Sequence, residues 1–231
     1  MLKDDLVVRA AGGLALTPRA QALQLPVREA LAALEQSLFG NEPFDPRTTT
    51  GAFRISTPDR LSLAAVPQLF ERLQKHAPLT TLQVATADSQ QALELLEENR
   101  SELALGWLDE KPSHMRAELL LEEHLYCVVR KHHPILTRRP YSIDTILSFP
   151  HLVVSATGHG TAIFDDMIAR QGRRREALVT VTNFTTVPQL LATSDMIGVY
   201  ARLAAEVFEN AFGLAKRRVP LTIGRIVTHM A

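Results

Sequence analysis

The chain has 231 residues, 46% of them hydrophobic and 22% charged, and its 25 basic side chains balance 25 acidic ones. A net charge of zero argues against a protein that coats nucleic acid, because such proteins carry a basic stripe. No run of about 18 apolar residues predicts a membrane span, and the polar residues 1–5 are unlike a signal peptide. The single cysteine, Cys127, lies in an apolar run that fits a core position and a reducing compartment. We therefore expect a globular cytoplasmic protein.

The first seventeen residues contain two short apolar runs on either side of Gly12 and Gly13. Paired glycines supply the positive φ angles of a tight turn, so this pattern predicts a β-hairpin. Thr17 then offers an N-cap and Pro18 suits the first helical position. The sequence predicts a long helix from Pro18 to about Phe39.

Apolar residues recur along this helix at nearly the spacing of a coiled coil. They are Leu23, Val27, Ala30 and Leu34, with Leu31 and Leu38 beside that stripe. The stripe fits packing against a second helix or against the chain's own body. Residues 41–50, with two prolines and three threonines in a row, form a predicted linker that leads away from the helix and favours a partner helix.

From residue 51 onward, predicted strands alternate with predicted helices. In the first half these are strands 52–57, 81–86 and 103–107 and helices 61–76 and 90–99. In the second half they are an interrupted apolar run 119–130, strands 151–155, 178–182, 196–200 and 218–221, and helices 143–147, 161–171, 186–193 and 201–209. This alternation indicates βαβ units and parallel sheets. Two successive units predict two lobes with a cleft between them.

The most specific motif lies in residues 4–20. Its matching positions are Asp4, Leu6, Arg9, Gly13, Leu16, Thr17 and Ala20. This segment resembles the end of the winged helix-turn-helix in LysR-type transcription regulators. The similarity continues through the long helix, the proline-containing linker and Phe53-Arg54-Ile55-Ser56, which resembles the opening of the family's sensing domain.

The resemblance implies an α/β fold with two Rossmann-like lobes, similar to type 2 periplasmic binding proteins, behind a wing hairpin and a linker helix. It divides the chain into a wing remnant (1–17), a dimerisation helix (18–40), a hinge (41–50) and an effector-binding domain (51–231). Lobe I is expected at about 51–125 and again after about 201, and lobe II at about 126–200. We expect that most of the DNA-reading head and the C-terminal end of the domain are missing.

The wing departs from the family pattern at its tip, where Gly12 stands in place of a frequent arginine. An arginine there can enter the minor groove, so its replacement weakens DNA contact. The resemblance assigns wing contacts with DNA to Arg9, Gly12, Thr17 and Arg19, and helix contacts in a homodimer or homotetramer to Leu23, Val27, Ala30, Leu34 and Leu38. DNA is thus an expected partner of the full-length form, and its binding is doubtful for this chain.

An effector site is expected where strands end and helices begin, because ligands of open α/β sheets bind there. The resemblance places a small, carboxylated or aromatic effector in the cleft formed by these loops. The candidate residues are Ser56, Thr57, Gly106, Trp107, Ser155, Thr157, His159, Phe184 and Thr185. Each also has a structural interpretation: the threonines as helix caps, the two aromatic residues as core, and His159 as an exposed loop residue.

Two other functions are alternatives to a transcription regulator. A stand-alone cytoplasmic small-molecule binding protein would have the same two lobes, but it needs neither a wing nor a striped helix. An enzyme would need an activated nucleophile or an acid–base pair, and we find no such motif. No metal site and no cofactor are expected. The basic run Arg173-Arg174-Arg175 is typical of a solvated turn, and Asp59 is expected to face solvent or pair with Arg60.

Overall fold

The computed structural model describes residues 4–10, 13–39, 44–108, 111–155, 163–221 and 226–231. These residues form two compact units, Met1–Thr49 and Thr50–Ala231. The second unit has the predicted α/β architecture with two sheets. Among the described residues, no helix combines the length and apolar character that crossing a bilayer requires.

The first unit is a hairpin followed by a helix. Strands β1 (Val7–Ala10) and β2 (Gly13–Leu16) pair antiparallel, and helix α1 (Pro18–Phe39) has the predicted bounds. The Oγ1 of Thr17 accepts the N–H of Ala20 at 3.1 Å and donates to the carboxylate of Asp4 at 2.7 Å. The same carboxylate accepts the N–H of Leu6 at 2.8 Å. Asp4 therefore connects the start of the hairpin to the start of the helix.

The predicted apolar stripe of α1 is largely open to solvent. Val27, Leu31 and Leu34 are about half-exposed, Ala30 is exposed and Leu23 is half-buried. The side chain of Leu38 lies outside the described residues, as does Gly12 at the hairpin turn.

The second unit contains two five-stranded sheets. The first sheet has the order β4-β3-β5-β12-β6, and the second has the order β11-β7-β10-β8-β9. Elements of the first sheet are β3 (Gly51–Thr57), α2 (Asp59–His76), β4 (Thr80–Thr86), α3 (Ser89–Glu97), β5 (Leu103–Gly106), β6 (Glu118–Glu123) and β12 (Ile226–Met230). Elements of the second are β7 (Leu125–Val129), a 3-10 turn (Pro134–Leu136), α4 (Ile143–Leu147), β8 (His151–Val154), α5 (Ile163–Ala169), β9 (Ala177–Val181), α6 (Val187–Ala192), β10 (Ile197–Ala201), α7 (Arg202–Phe212) and β11 (Ala215–Arg218).

Three strands of each sheet run parallel: β3 with β4 and β5, and β8 with β9 and β10. Their carboxyl ends therefore bring the loops that precede helices to one edge of each sheet. We call the two sheets with their helices lobe I and lobe II.

The chain passes from lobe I to lobe II at His124 and returns between β11 and β12. The sequence predicted a return after about residue 201, which was too early. Helix α7 buries Ala204, Ala205 and Phe208 in the lobe II core, and β11 pairs with β7. Burial of this apolar helix face against the second sheet keeps the chain in lobe II.

The strand predicted at 218–221 was also misplaced, because the strand ends at Arg218. Its basic residues are accommodated by local partners: Lys216 pairs with Glu209, and Arg217 stacks 3.6 Å from the ring centre of Tyr141. These contacts let a polar sequence form an edge strand.

The two connections between the lobes lie side by side. The N–H of Val219 donates to the carbonyl of Leu125 at 2.9 Å, and the guanidinium of Arg218 lies 3.1 Å from the Nε2 of His124. The lobes are thus joined at one place rather than at two separate ones.

Cys127 lies on β7 with no exposed surface, which confirms its predicted core position. Burial raises the pKa of its thiol to about 12. The thiol is therefore a packing group and not a nucleophile at neutral pH.

Candidate functional site

A cavity of about 350 Å³ lies between lobe I and lobe II. Lobe I contributes Pro58, Ser89 and Trp107 to its lining, and lobe II contributes Ser155, Phe184 and Tyr200, among others. This volume is in the range of small-molecule sites, which start near roughly 300 Å³. The cavity lies where the strand-end rule predicted a site.

The predicted site residues occupy different positions around this cavity. Trp107, Ser155 and Phe184 line it. Ser56, Thr57 and Gly106 are buried and are not among the described lining residues, while Thr185 is exposed. Thr157 and His159 lie outside the described residues.

The alternative interpretation of Thr57 and Thr185 as helix caps is wrong. The N-cap of α2 is Pro58 and that of α6 is Thr186, and neither cap has a side-chain hydrogen bond. The hydroxyl of Thr57 instead lies 3.5 Å from the carbonyl of Pro58, in a residue that is 1% exposed. Thr57 is thus a buried polar residue directly behind the cavity wall.

The lobe II wall of the cavity is aromatic. The ring of Phe184 meets that of Tyr200 edge-on at 5.3 Å and stacks on Phe208 at 6.1 Å. The hydroxyl of Tyr200 donates to the carbonyl of Leu152 at 3.2 Å, and burial raises its pKa above the ordinary value. These rings are therefore held in place and uncharged at neutral pH, which suits an apolar or aromatic ligand face.

Arg175 lines the cavity, although the sequence predicted a solvated turn. Its side chain is only 3% exposed, and its Nε and Nη2 donate to Asp165 at 2.6 and 2.7 Å. Its guanidinium also lies 5.4 Å from the ring centre of Phe164. The prediction was wrong for this residue because Asp165, which pairs with it, and Phe164, whose ring it contacts, both lie on helix α5. Arg173, by contrast, pairs with Asp144 at the surface.

Arg60 is a second arginine in the cavity wall, and its sequence context does not predict that position. Its Nη1 lies 3.4 Å from the Oε2 of Glu123, whose side chain has no exposed surface. The Oε1 of Glu123 accepts the N–H of Leu203 at 2.8 Å, at the start of α7. Burial lowers the pKa of Arg60, and Glu123 offsets part of that effect.

Asp59 of lobe I is hydrogen-bonded to Phe184 of lobe II, which lines the cavity. Its Oδ2 accepts the N–H of Phe184 at 2.7 Å, so it does not pair with Arg60 as one prediction proposed. The first turn of α2 is thereby attached to the aromatic wall of lobe II.

Other predicted sites lie away from this cavity. In the first unit, Arg9 and Arg19 are exposed and Thr17 is half-buried, as the helix cap described above. Within the described ranges, no group of three or more His, Cys, Asp or Glu side chains is arranged to hold a metal ion.

Comparison with known proteins places these features in context. The family model described as the LysR substrate binding domain matches residues 46–230. The activator NahR of Pseudomonas putida is 30% identical over 229 residues, covering 99% of this chain and 76% of its own length. The activator NagR of a Ralstonia species is 29% identical, with the same coverage of 99% and 76%.

Solved structures show the same relationship. A probable transcriptional regulator of Pseudomonas aeruginosa, PA0477, superposes with a TM-score of 0.72 at 30% identity, covering 99% of this chain and 76% of its own. The regulatory domain of MexT, from the same organism, has a TM-score of 0.69 at 24% identity over 79% of this chain and 88% of its own, and supports the fold alone.

Proposed function

Because the chain belongs to the LysR family of transcription regulators, we propose that the cavity between its lobes binds a small carboxylated or aromatic effector that controls transcription. One observation carries this proposal: a cavity of about 350 Å³ has an aromatic wall on one side and an arginine on each lobe. Apolar walls with a few convergent polar groups are typical of small-molecule sites. A cytoplasmic location follows from a role at DNA.

The contacts across the cavity suggest how binding is transmitted. Asp59 joins α2 to the Phe184 loop, and Glu123 joins Arg60 to the start of α7. A ligand that contacts these residues stabilises one arrangement of the lobes over another. Such a difference in affinity between two states is the physical basis of an effector response.

We propose that helix α1 mediates a homodimer or homotetramer. Its half-exposed Val27 and Leu34 support this assignment, because a stripe of such residues on a 22-residue helix gains stability from a partner helix. The exposed Arg9 and Arg19 suit contacts with DNA phosphates.

Isothermal titration calorimetry with a panel of aromatic and aliphatic carboxylates tests the effector proposal. At least one acid is expected to bind saturably at a one-to-one ratio per chain. Replacing Phe184 by alanine removes part of the aromatic wall and is expected to weaken binding by about tenfold or more.

Leu178→Ala is the matched control. Leu178 is an apolar residue of β9 that is 65% exposed and does not line the cavity, so its loss is expected to leave affinity unchanged. If no acid binds, or if both variants weaken binding equally, the cavity is not the effector site.

A further inference from the structure

Arg60 uses only part of its hydrogen-bonding capacity among the described residues. A guanidinium has five N–H donors. Among the described residues, Arg60 has one hydrogen-bond partner, Glu123, which its Nη1 meets at 3.4 Å. That distance exceeds the roughly 2.7–2.9 Å of a strong charge-assisted bond. Its Nε and Nη2 remain for a further acceptor.

The surroundings of Arg60 pair its charge with Glu123 but leave Nε and Nη2 without an acceptor among the described residues. It is the second residue of α2, where the helix dipole disfavours a cation. The neighbouring carboxylate of Asp59 accepts the N–H of Phe184, and no hydrogen bond from Arg60 to it is formed among the described residues. Burial also lowers the pKa of Arg60, because water is excluded from the guanidinium and Glu123 offsets only part of that loss. An anion in the cavity would supply the missing interaction.

Arg175 differs in this respect, although it lines the same cavity. Its Nε and Nη2 form two short bonds to the carboxylate of Asp165, so its charge is matched within lobe II. Asp88 adds a carboxylate to the lining of lobe I. Of the two arginines in the lining, Arg60 is therefore the one with guanidinium donors left for a ligand, since Nε and Nη2 of Arg175 are already bonded to Asp165.

We propose that Arg60 binds a carboxylate of the effector through its Nε and Nη2, and that Glu123 positions the guanidinium. This inference rests on the proposed effector function. Glu123 holds Arg60 with one carboxylate oxygen and the N–H of Leu203 with the other. Engagement of Arg60 by a ligand is thereby coupled to the start of α7 in lobe II.

The test compares aromatic acids with their neutral carboxamides by titration calorimetry on the full chain. The probes are benzoate and the three monohydroxybenzoates, each beside the corresponding amide. The native protein is expected to prefer at least one acid over its amide. Arg60→Gln is expected to weaken acid binding by about 10- to 100-fold, the value of a hydrogen bond to a charged group, while amide binding stays the same.

Two further variants keep the test decisive. Arg60→Gln leaves Glu123 buried without its cation, so the double variant Arg60→Gln/Glu123→Gln removes both charges and guards against unfolding. Glu123→Gln alone is expected to reduce the acid preference and to spare amide affinity, whereas a merely structural role would lower both. Arg173→Gln breaks an arginine–aspartate pair outside the cavity and is expected to change neither.

The outcomes separate this inference from the proposed function. Retention of the acid preference in both Arg60 variants, or equal binding of acids and amides by the native protein, overturns the role of Arg60 while the effector function stands. Absence of binding by every probe overturns the aromatic effector class and the role of Arg60 with it.

Discussion

The buried pair of Arg175 and Asp165 allows a quantitative test of the lobe II side of the cavity. Asp165→Asn would leave a guanidinium that is 3% exposed without the carboxylate that its Nε and Nη2 contact at 2.6 and 2.7 Å. Removing one partner of a buried pair costs about 3–5 kcal/mol. Since the side chain of Asp165 is 23% exposed, we expect the lower end, about 3 kcal/mol.

Thermal unfolding followed by circular dichroism measures this loss. At roughly 2–4 °C per kcal/mol for a unit of this size, the Tm is expected to fall by about 6–12 °C. Asp144→Asn is the control, because Asp144 makes the same two-bond pair with Arg173 at 2.7 and 3.0 Å but is 69% exposed. Solvent screens that pair, so its Tm shift should be below about 2 °C. Equal shifts in the two variants would refute the reasoning.

Three other residues give independent predictions. Burial, followed by the charge of Arg175, lowers the pKa of His151 to about 4 from its ordinary 6.5. Between these two pKa values the unfolded chain takes up a proton that the folded chain excludes. About 3 kcal/mol of stability is therefore present above pH 6.5 and is lost as the pH falls towards 4, which urea unfolding midpoints measure. If the difference in stability between the native protein and His151→Gln stayed the same across this range, the prediction would be wrong. A Cβ at Gly198 would lie 2.6 Å from the hydroxyl oxygen of Tyr200, so Gly198→Ala should cost about 1–3 kcal/mol and weaken effector binding; unchanged Tm and affinity would contradict this. Cys127 should react with a thiol reagent only after unfolding in urea, and rapid reaction of the native protein would disagree with its burial.

Much of the fold is predictable because local signals and packing agree. The Thr17–Pro18 cap and the apolar stripe give α1 its observed bounds, and the alternation of β3 with α2 follows from apolar runs separated by Pro58. The interruption at Glu122–His124 marks the passage between lobes. Here a local break in the apolar pattern corresponds to a change of sheet.

The charged part of the site is not predictable in the same way. Arg175 has the sequence context of a solvated turn, and its burial depends on a carboxylate on a different element. Arg60 meets Glu123, which lies 63 positions along the chain. Pairings of this kind exist only after the lobes have packed, so no periodic pattern records them. Trp107 and Phe184 were predictable as cavity candidates because strand ends fix the position of their loops, and their role in binding stays a prediction.

Trp107 provides the most direct test of the central claim that the cavity between the lobes is the effector site. It is the single tryptophan of the chain, and it lines the cavity. Titration with an acid that binds by calorimetry is expected to change the fluorescence of Trp107 saturably, with the same Kd. Binding by calorimetry without any change in this fluorescence would place the ligand elsewhere and contradict the account.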